Sequence, residues 1–178
     1  MFKLIAIGGN QMLIPIVNEN DEIIDHIERN ELDYSIHRSR SSSCWVLDGK
    51  SNVLIAQRSF DKRFNPGKWS ESVGGTVDKD CSYRDTIIKE IGEELGVDLA
   101  NFDLIEGIKQ YIDADERYFV QWYTVIIDRP AEYFKIQNEE LEQVAWISIE
   151  QLKREVKEMP GKYVSGMDKI IQTLDFSK

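Results

Sequence analysis

The sequence lacks an excess of basic residues, and this lack excludes one class of partner. The 178 residues include 22 Lys and Arg against 32 Asp and Glu, which gives a net charge of −10 at pH 7. A nucleic-acid polymer needs a basic footprint on the protein, so no such partner is expected. A small phosphorylated ligand remains compatible with this charge, because a bound divalent cation reverses the sign locally.

Cysteine and histidine are also rare, with two of each. Cys44 and Cys81 do not form a Cys-x-x-Cys pair, so no zinc site is predicted. The chain has no signal-peptide pattern and no apolar run long enough to cross a membrane. We therefore expect a cytoplasmic protein with reduced cysteines and no membrane partner.

No repeat, low-complexity segment or linker divides the chain, so its length predicts one domain. Apolar runs bounded by turn residues predict strands, and two of these runs flank Gly49-Lys50-Ser51 as the strands of a hairpin do. Residues 103–111 are apolar without a regular period and predict no definite element. The predicted strands are 4–7, 12–17, 43–48, 52–57, 117–128 and 143–149.

Capping residues predict two helices near the end of the chain. Ser148 with Gln151 forms a capping-box pattern before a helix over 150–158. Ser165 marks the start of a last helix over 166–174. Strands and helices mixed in this order favour an α+β fold, in which a sheet is packed between helices.

Three glutamates lie together on a further helix, which covers 83–95 and is predicted to be capped by Ser82. Glu90, Glu93 and Glu94 are three or four residues apart, so their carboxylates are neighbours near the negative end of the helix dipole. Like charges in that place repel one another unless a hard cation such as Mg²⁺ or Mn²⁺ binds to them. The alternative is a solvated acidic face.

The segment that contains this helix resembles the Nudix box, the signature of a family of Mg²⁺-dependent diphosphate hydrolases. Gly75, Lys89-Glu90-Ile91, Glu93-Glu94 and Gly96-Val97 stand at the spacings of that signature. The resemblance implies a Nudix-type α/β/α sandwich with a mixed β-sheet between helices, formed by one domain over 12–178 after an N-terminal extension at 1–11. It also implies that Mg²⁺, or Mn²⁺, is the cofactor.

The resemblance further implies a reaction and the residues that carry it. Water activated by the metal would attack one phosphorus of a diphosphate in a nucleoside diphosphate derivative or a related small metabolite. Solvated or ion-paired surface positions are the alternative for Glu140 and for the two arginines. The implied catalytic residues are Glu93, Glu94 and Glu140, the metal ligands are Glu90, Glu93 and Glu94, and the substrate contacts are Gly74, Gly75, Arg58 and Arg63.

Two positions depart from the signature. Cys81 stands where the family has its first glutamate, and Lys89 stands where it has an arginine. In the family these two residues support the geometry of the loop and helix. We therefore interpret the pair as an exchanged structural support, with Asp78 or Asp80 as the substitute acid. Acidic neighbours disfavour a thiolate, so a nucleophilic Cys81 is not predicted.

Motifs before the box resemble the branch of the family related to isopentenyl-diphosphate isomerase. They are His37-Arg38, Gln57-Arg58-Ser59 and Pro66-Gly67-Lys68-Trp69. The isomerase needs a reactive cysteine, and Gly74 stands at its place here, so hydrolysis is favoured over isomerisation. A catalytically inactive nucleotide-binding module is a further alternative.

Homodimers are common in the family, so a homodimer remains open. Core or loop packing, rather than stacking on a base, is expected for Trp69, Trp122 and Tyr123.

Overall fold

In a computed structural model, the chain forms a mixed sheet with helices packed on both faces. The structure describes residues 12–33, 35–113 and 117–174. The strand predicted at 4–7 and the extension at 1–11 lie outside the described residues.

Nine strands and three α-helices are present in the described ranges. The strands predicted from 12 onwards are confirmed as β1, β3, β4, β8 and β9. The strands are β1 (Leu13–Val17), β2 (Ile23–Glu28), β3 (Arg38–Leu47), β4 (Asn52–Arg58), β5 (Trp69–Ser70), β6 (Val73–Thr76), β7 (Ile105–Asp113), β8 (Arg117–Ile126) and β9 (Leu141–Ser148). The helices are α1 (Tyr83–Leu95), α2 (Ile149–Glu158) and α3 (Met167–Ile170).

The central strand of the main sheet is β3. It pairs in parallel with β8 along its whole length, and antiparallel with β6 through residues 41–44. At Leu47 it also pairs antiparallel with β4, which in turn pairs with β5 and β9. Parallel and antiparallel neighbours in one sheet, between helices, confirm the predicted α+β sandwich.

Alternation along β3 divides the core into two layers. Cys44 and Val46 face α1, whereas Trp45 and Leu47 face α2 and α3 on the other side of the sheet. All four side chains are buried. The small residues Ser39, Ser41 and Ser43 continue the second face toward the start of the strand, and they leave space there that large apolar side chains fill further along.

The segment 103–111, which predicted no element, contributes most of β7. Its side chains are largely exposed, so the sequence does not alternate as a half-buried strand does. Antiparallel pairing with β8 holds it at the edge of the sheet, and the register shifts between Glu106 and Lys109. This strand therefore depends on its neighbour rather than on a local pattern.

The helix predicted over 83–95 has those bounds in α1. The side chain of Ser82 accepts a hydrogen bond from the backbone N–H of Asp85 at 3.0 Å, and Gly96 ends the helix in the left-handed region at φ 66°. Ser148 caps α2 in the same way, as predicted. No helix in the described part of the chain is long and apolar enough to cross a lipid bilayer.

The last helix differs from the prediction. Gly166 at φ 80°, and not Ser165, occupies the N-cap position of α3, and no side chain caps the helix. The α-helix spans four residues and continues as a 3₁₀ turn over Ile171–Thr173. The left-handed backbone at Gly166 places the start one residue later than the hydroxyl of Ser165 indicated.

Candidate active site

Glu94 is the most buried of the three box glutamates and lies at the edge of the apolar face of α1. Ile91 and Leu95 on that face pack against the sheet, and Glu94 is only 8% exposed. Burial raises the pKa of Glu94 to about 8, and the charges of Glu90 and Glu140 act in the same direction. Among the described residues, none donates a hydrogen bond to its carboxylate. A buried acid without a donor is suited to accept a cation.

Glu90 is half-buried, and its side chain lies over Gly75 of β6. A Cβ atom at Gly75 would be 2.5 Å from Cδ of Glu90 and 2.6 Å from its Oε1. Glycine at this position therefore leaves the space that the carboxylate occupies. Burial also raises the pKa of Glu90.

The Gly75→Ala variant is expected to lose at least about tenfold in turnover, because the added methyl group displaces the Glu90 side chain. Overpacking of this kind also costs about 1–3 kcal/mol of stability. Steady-state kinetics and thermal unfolding measure the two effects. Gly161→Ala is the matched control, since a Cβ there meets no atom within 4 Å. Full activity in Gly75→Ala would show that Glu90 is not needed in its present position.

Lys89 joins the acids of the loop before α1 to those of the helix. Its Nζ lies 3.6 Å from Oδ2 of Asp78, 3.6 Å from Oε2 of Glu93 and 4.0 Å from Oε1 of Glu90. Of the two acids predicted as substitutes at the departing positions, Asp78 is the one beside Lys89. Glu93 has a half-exposed side chain and is paired with Lys89 at the surface.

Cys81 is half-buried and is a free thiol. The Cys81→Ser variant is expected to keep turnover within about twofold of the wild type, because Asp78 rather than Cys81 is the partner of Lys89. Initial rates at saturating substrate measure this. A collapse of the rate would give the thiol a role in the reaction that its position does not indicate.

Two clefts meet beside Glu94. The helix cleft, of about 1230 Å³, runs along α1 and contains Glu90 and Glu93. The sheet cleft, of about 1180 Å³, runs along the face of the sheet that α3 covers. Residues that line both clefts form what we call the junction. Its polar members and its glycine are Ser41, Ser43, Arg58, Glu71, Gly74, Thr76, Glu94 and Glu140.

Of the other predicted site residues, Glu140 and Arg58 line the junction, whereas Arg63 does not. Glu140 lines the junction and forms an ion pair with Lys62. Arg58 also lines the junction, and its Nε donates a hydrogen bond to the carbonyl of Phe64 at 3.1 Å. Arg63 lines only the helix cleft, where its guanidinium lies 5.0 Å from the centre of the Phe64 ring.

Sequence reasoning missed Glu71, the third acid of the junction. It lies between β5 and β6, and its Oε1 accepts a hydrogen bond from the Ser43 hydroxyl at 3.1 Å. Burial raises the pKa of Glu71, while the charge of Arg58 opposes that rise. The one signal in the sequence is a lone acid shortly before Gly74-Gly75, which is too common to single out.

The donor set of this site fits a hard divalent cation. Carboxylate oxygens are the ligands that Mg²⁺ and Mn²⁺ prefer, and Glu94 is a buried carboxylate with no hydrogen-bond donor. Within the described ranges, no three acidic, histidine or cysteine side chains are grouped closely enough to hold one ion as they stand. Glu90 and Glu94 are the residues that would hold it.

Comparisons with known proteins give one family. The NUDIX domain model matches residues 37–174. The prenyl-diphosphate phosphatase of Methanosarcina mazei is 28% identical over 155 residues, which cover 87% of this chain and 90% of that protein. The isopentenyl-diphosphate Delta-isomerase of Salmonella arizonae is 27% identical over 127 residues, 70% of each chain. The crystal structure of DR0079 from Deinococcus radiodurans shares the fold, with a TM-score of 0.78 at 20% identity over 90% of this chain and 97% of that one.

Proposed function

The chain belongs to the Nudix family and is a hydrolase of diphosphate bonds, and we propose that its reaction depends on Mg²⁺ or Mn²⁺ and takes place at the junction. The observation that carries the location is Glu94, a buried acid with no hydrogen-bond donor where the two clefts meet. The substrate is a small molecule that carries a diphosphate.

The box glutamates and two further junction residues, Arg58 and Glu140, have proposed parts in the reaction. A bound divalent cation would neutralise the diphosphate oxygens and acidify the attacking water. Glu90 and Glu94 would hold that cation, and the Arg58 guanidinium would bind a phosphate oxygen. Glu140, which Lys62 holds in place, orients the attacking water. Glu93 would have to leave its pair with Lys89 to serve as a ligand.

The organic part of the substrate has two candidate classes. For a nucleoside diphosphate derivative, a base needs an aromatic surface, yet Trp122 and Tyr123 are buried in the two core layers, as expected from the sequence. Trp69 is partly buried and packs against the second layer. These three side chains therefore do not supply a stacking platform for a base.

A prenyl diphosphate is the class that we favour. The sheet cleft continues from the junction to a wall of partly buried apolar side chains on β7, β8 and the segment of α3. This wall is formed by Ile112, Tyr118, Val164 and Ile170, and the polar side chains of Gln110, Asp168, Lys169 and Gln172 line the same cleft. An apolar chain would bury itself there by the hydrophobic effect, and the relative from Methanosarcina mazei is a prenyl-diphosphate phosphatase.

Isomerisation is the less favoured alternative because of Gly74. This residue carries no thiol, and a Cβ added to it would lie 2.9 Å from Oγ of Ser43 and 3.2 Å from Oε1 of Glu71. The space that a reactive side chain would need is thus occupied.

Chromatographic analysis of the products from a panel of prenyl diphosphates and nucleoside diphosphate derivatives, with Mg²⁺ or Mn²⁺ and with EDTA, tests these proposals. We expect metal-dependent release of phosphate from prenyl diphosphates. Cleavage of the nucleoside diphosphate derivatives alone, into two phosphate monoesters, would reassign the organic part. An allylic product without phosphate would indicate isomerisation. Binding without turnover on any member would indicate an inactive module.

A further inference from the structure

Glu71 lines the junction from the sheet side, and Glu94 lines it from α1. The two sides belong to elements far apart in sequence, the short segment between β5 and β6 on one side and the helix on the other. Glu71 and Glu94 line both clefts, whereas Glu93 lines only the helix cleft. Glu71 therefore lines the junction, whereas Glu93, which the sequence nominated, does not.

The orientation of Glu71 is fixed by its surroundings. The Ser43 hydroxyl donates to its Oε1 at 3.1 Å, and Gly74 leaves the space into which both side chains extend. The Ser43 hydroxyl and the backbone N–H of Glu71 itself use two of the four lone-pair sites on this carboxylate. The other sites are available to a ligand in the cleft.

The acids at the junction outnumber the basic residues beside them, Lys62 and Arg58, so a bound cation would lower their mutual repulsion. Glu71, Glu94 and Glu140 bring three acids together, since each of them lines both clefts. Lys62 is committed to Glu140, and Arg58 is the cation that acts on Glu71. A diphosphate that enters this site adds more negative charge, so the acids need a counter-ion to coexist with it.

We propose that Glu71 is a further residue of the cation site, which it completes from the sheet side while Glu94 completes it from the helix side. This inference rests on the metal dependence that is part of the proposed function. Ser43 acts as the positioning residue for Glu71, and Gly74 provides the room for both.

Binding of Mn²⁺ to the substrate-free protein, measured by calorimetry, tests the assignment. Glu71→Gln keeps an oxygen that accepts from Ser43 but removes the charge. We expect its dissociation constant for Mn²⁺ to rise by at least about tenfold, as for other residues around a metal site. The exposed Glu142 of β9 provides the matched control, and Glu142→Gln should bind Mn²⁺ as the wild type does.

Thermal unfolding in EDTA separates this role from a structural one. A structural Glu71 would make the Gln variant less stable without metal. A cation ligand should leave it equally stable or more stable, because one of three mutually repelling acids is gone. Ser43→Ala keeps the Glu71 carboxylate but removes the hydrogen bond that orients it, so this variant should bind Mn²⁺ a few-fold more weakly. If Glu71→Gln does not fold, the Mn²⁺ affinity of Ser43→Ala tests the role of Glu71.

The outcomes distinguish this inference from the proposed function. Wild-type affinity for Mn²⁺ in Glu71→Gln, or in Ser43→Ala where the first variant does not fold, overturns the role of Glu71 and leaves the metal-dependent reaction standing. A wild-type protein that does not bind Mn²⁺ overturns both.

Discussion

Glu94→Gln is expected to lower turnover by about a thousandfold or more while the fold survives. The amide has the same shape as the carboxyl group, so the packing of α1 beside Ile91 and Leu95 is kept. What is lost is a negative charge at the point where the two clefts meet. Without it, the cation that neutralises the diphosphate would be held by fewer acids and placed less well.

The measurement is kcat with saturating Mg²⁺ or Mn²⁺ on the best substrate of the panel, together with circular dichroism to verify the fold. Glu142→Gln again serves as the control, because it removes an acid from an exposed position of β9 outside both clefts. Turnover at the wild-type level in Glu94→Gln would falsify the assignment of Glu94 to the cation.

The parts of the fold that the sequence predicts well are those with local signals. The bounds of α1 follow from the hydroxyl of Ser82, the carboxylate of Asp85 and the left-handed backbone of Gly96, all within the helix or next to it. Strand β8 is similarly evident, because its run of aromatic and β-branched residues contains no breaker. Such signals act over a few residues, so they can be read without the rest of the chain.

The parts that the sequence does not predict depend on contacts between distant segments. Strand β7 exists through its pairing with β8, and its exposed side chains leave no alternation to read. The spacing of the box predicts that Gly75 matters, but its reason, the Glu90 side chain above it, appears only when β6 and α1 are packed together.

Prediction of the site from the sequence is limited in the same way, because the junction forms between distant segments. The box spacing nominates Glu93 and Glu94 equally, and only the packing of α1 buries Glu94 while it leaves Glu93 paired with Lys89. Glu71 belongs to no motif, and it enters the site because β5 and β6 place it beside Ser43. The periodicity of a helix shows which residues share a face, but it does not show which other elements pack against that face.

In EDTA, the stability of the protein is expected to fall as the pH rises from about 5 to above 8. The carboxyl group of Glu94 has an ordinary pKa of 4.5 in the unfolded chain, and burial raises that pKa to about 8 in the folded protein. Within this window the folded state binds more protons than the unfolded state, so unfolding becomes easier at higher pH. The stability that protonated Glu94 confers is complete below pH 4.5 and is lost as the pH passes about 8.

The expected size of this effect is about 4 kcal/mol across the window, since each pKa unit is worth about 1.4 kcal/mol. This corresponds to a melting temperature lower by roughly 10 °C. Glu71 and Glu90, whose pKa values burial also raises, act in the same direction. Asp48 and Glu155 do not interfere, because hydrogen bonds hold both of their pKa values at about 2, well below the window.

Melting curves of the wild type and Glu94→Gln in EDTA, from pH 5 to 9, measure this dependence. The variant should lose most of the slope and be the more stable protein at pH 8.5, because its amide has no proton to release. Saturating Mg²⁺ should restore the wild type at high pH, since the cation binds the ionised acid. A wild-type curve that is flat or rises with pH would mean that Glu94 is already ionised in the folded, metal-free protein. Ionised Glu94 would then cost the folded protein no stability at pH 8, and its raised pKa could not serve as a sign of the cation site.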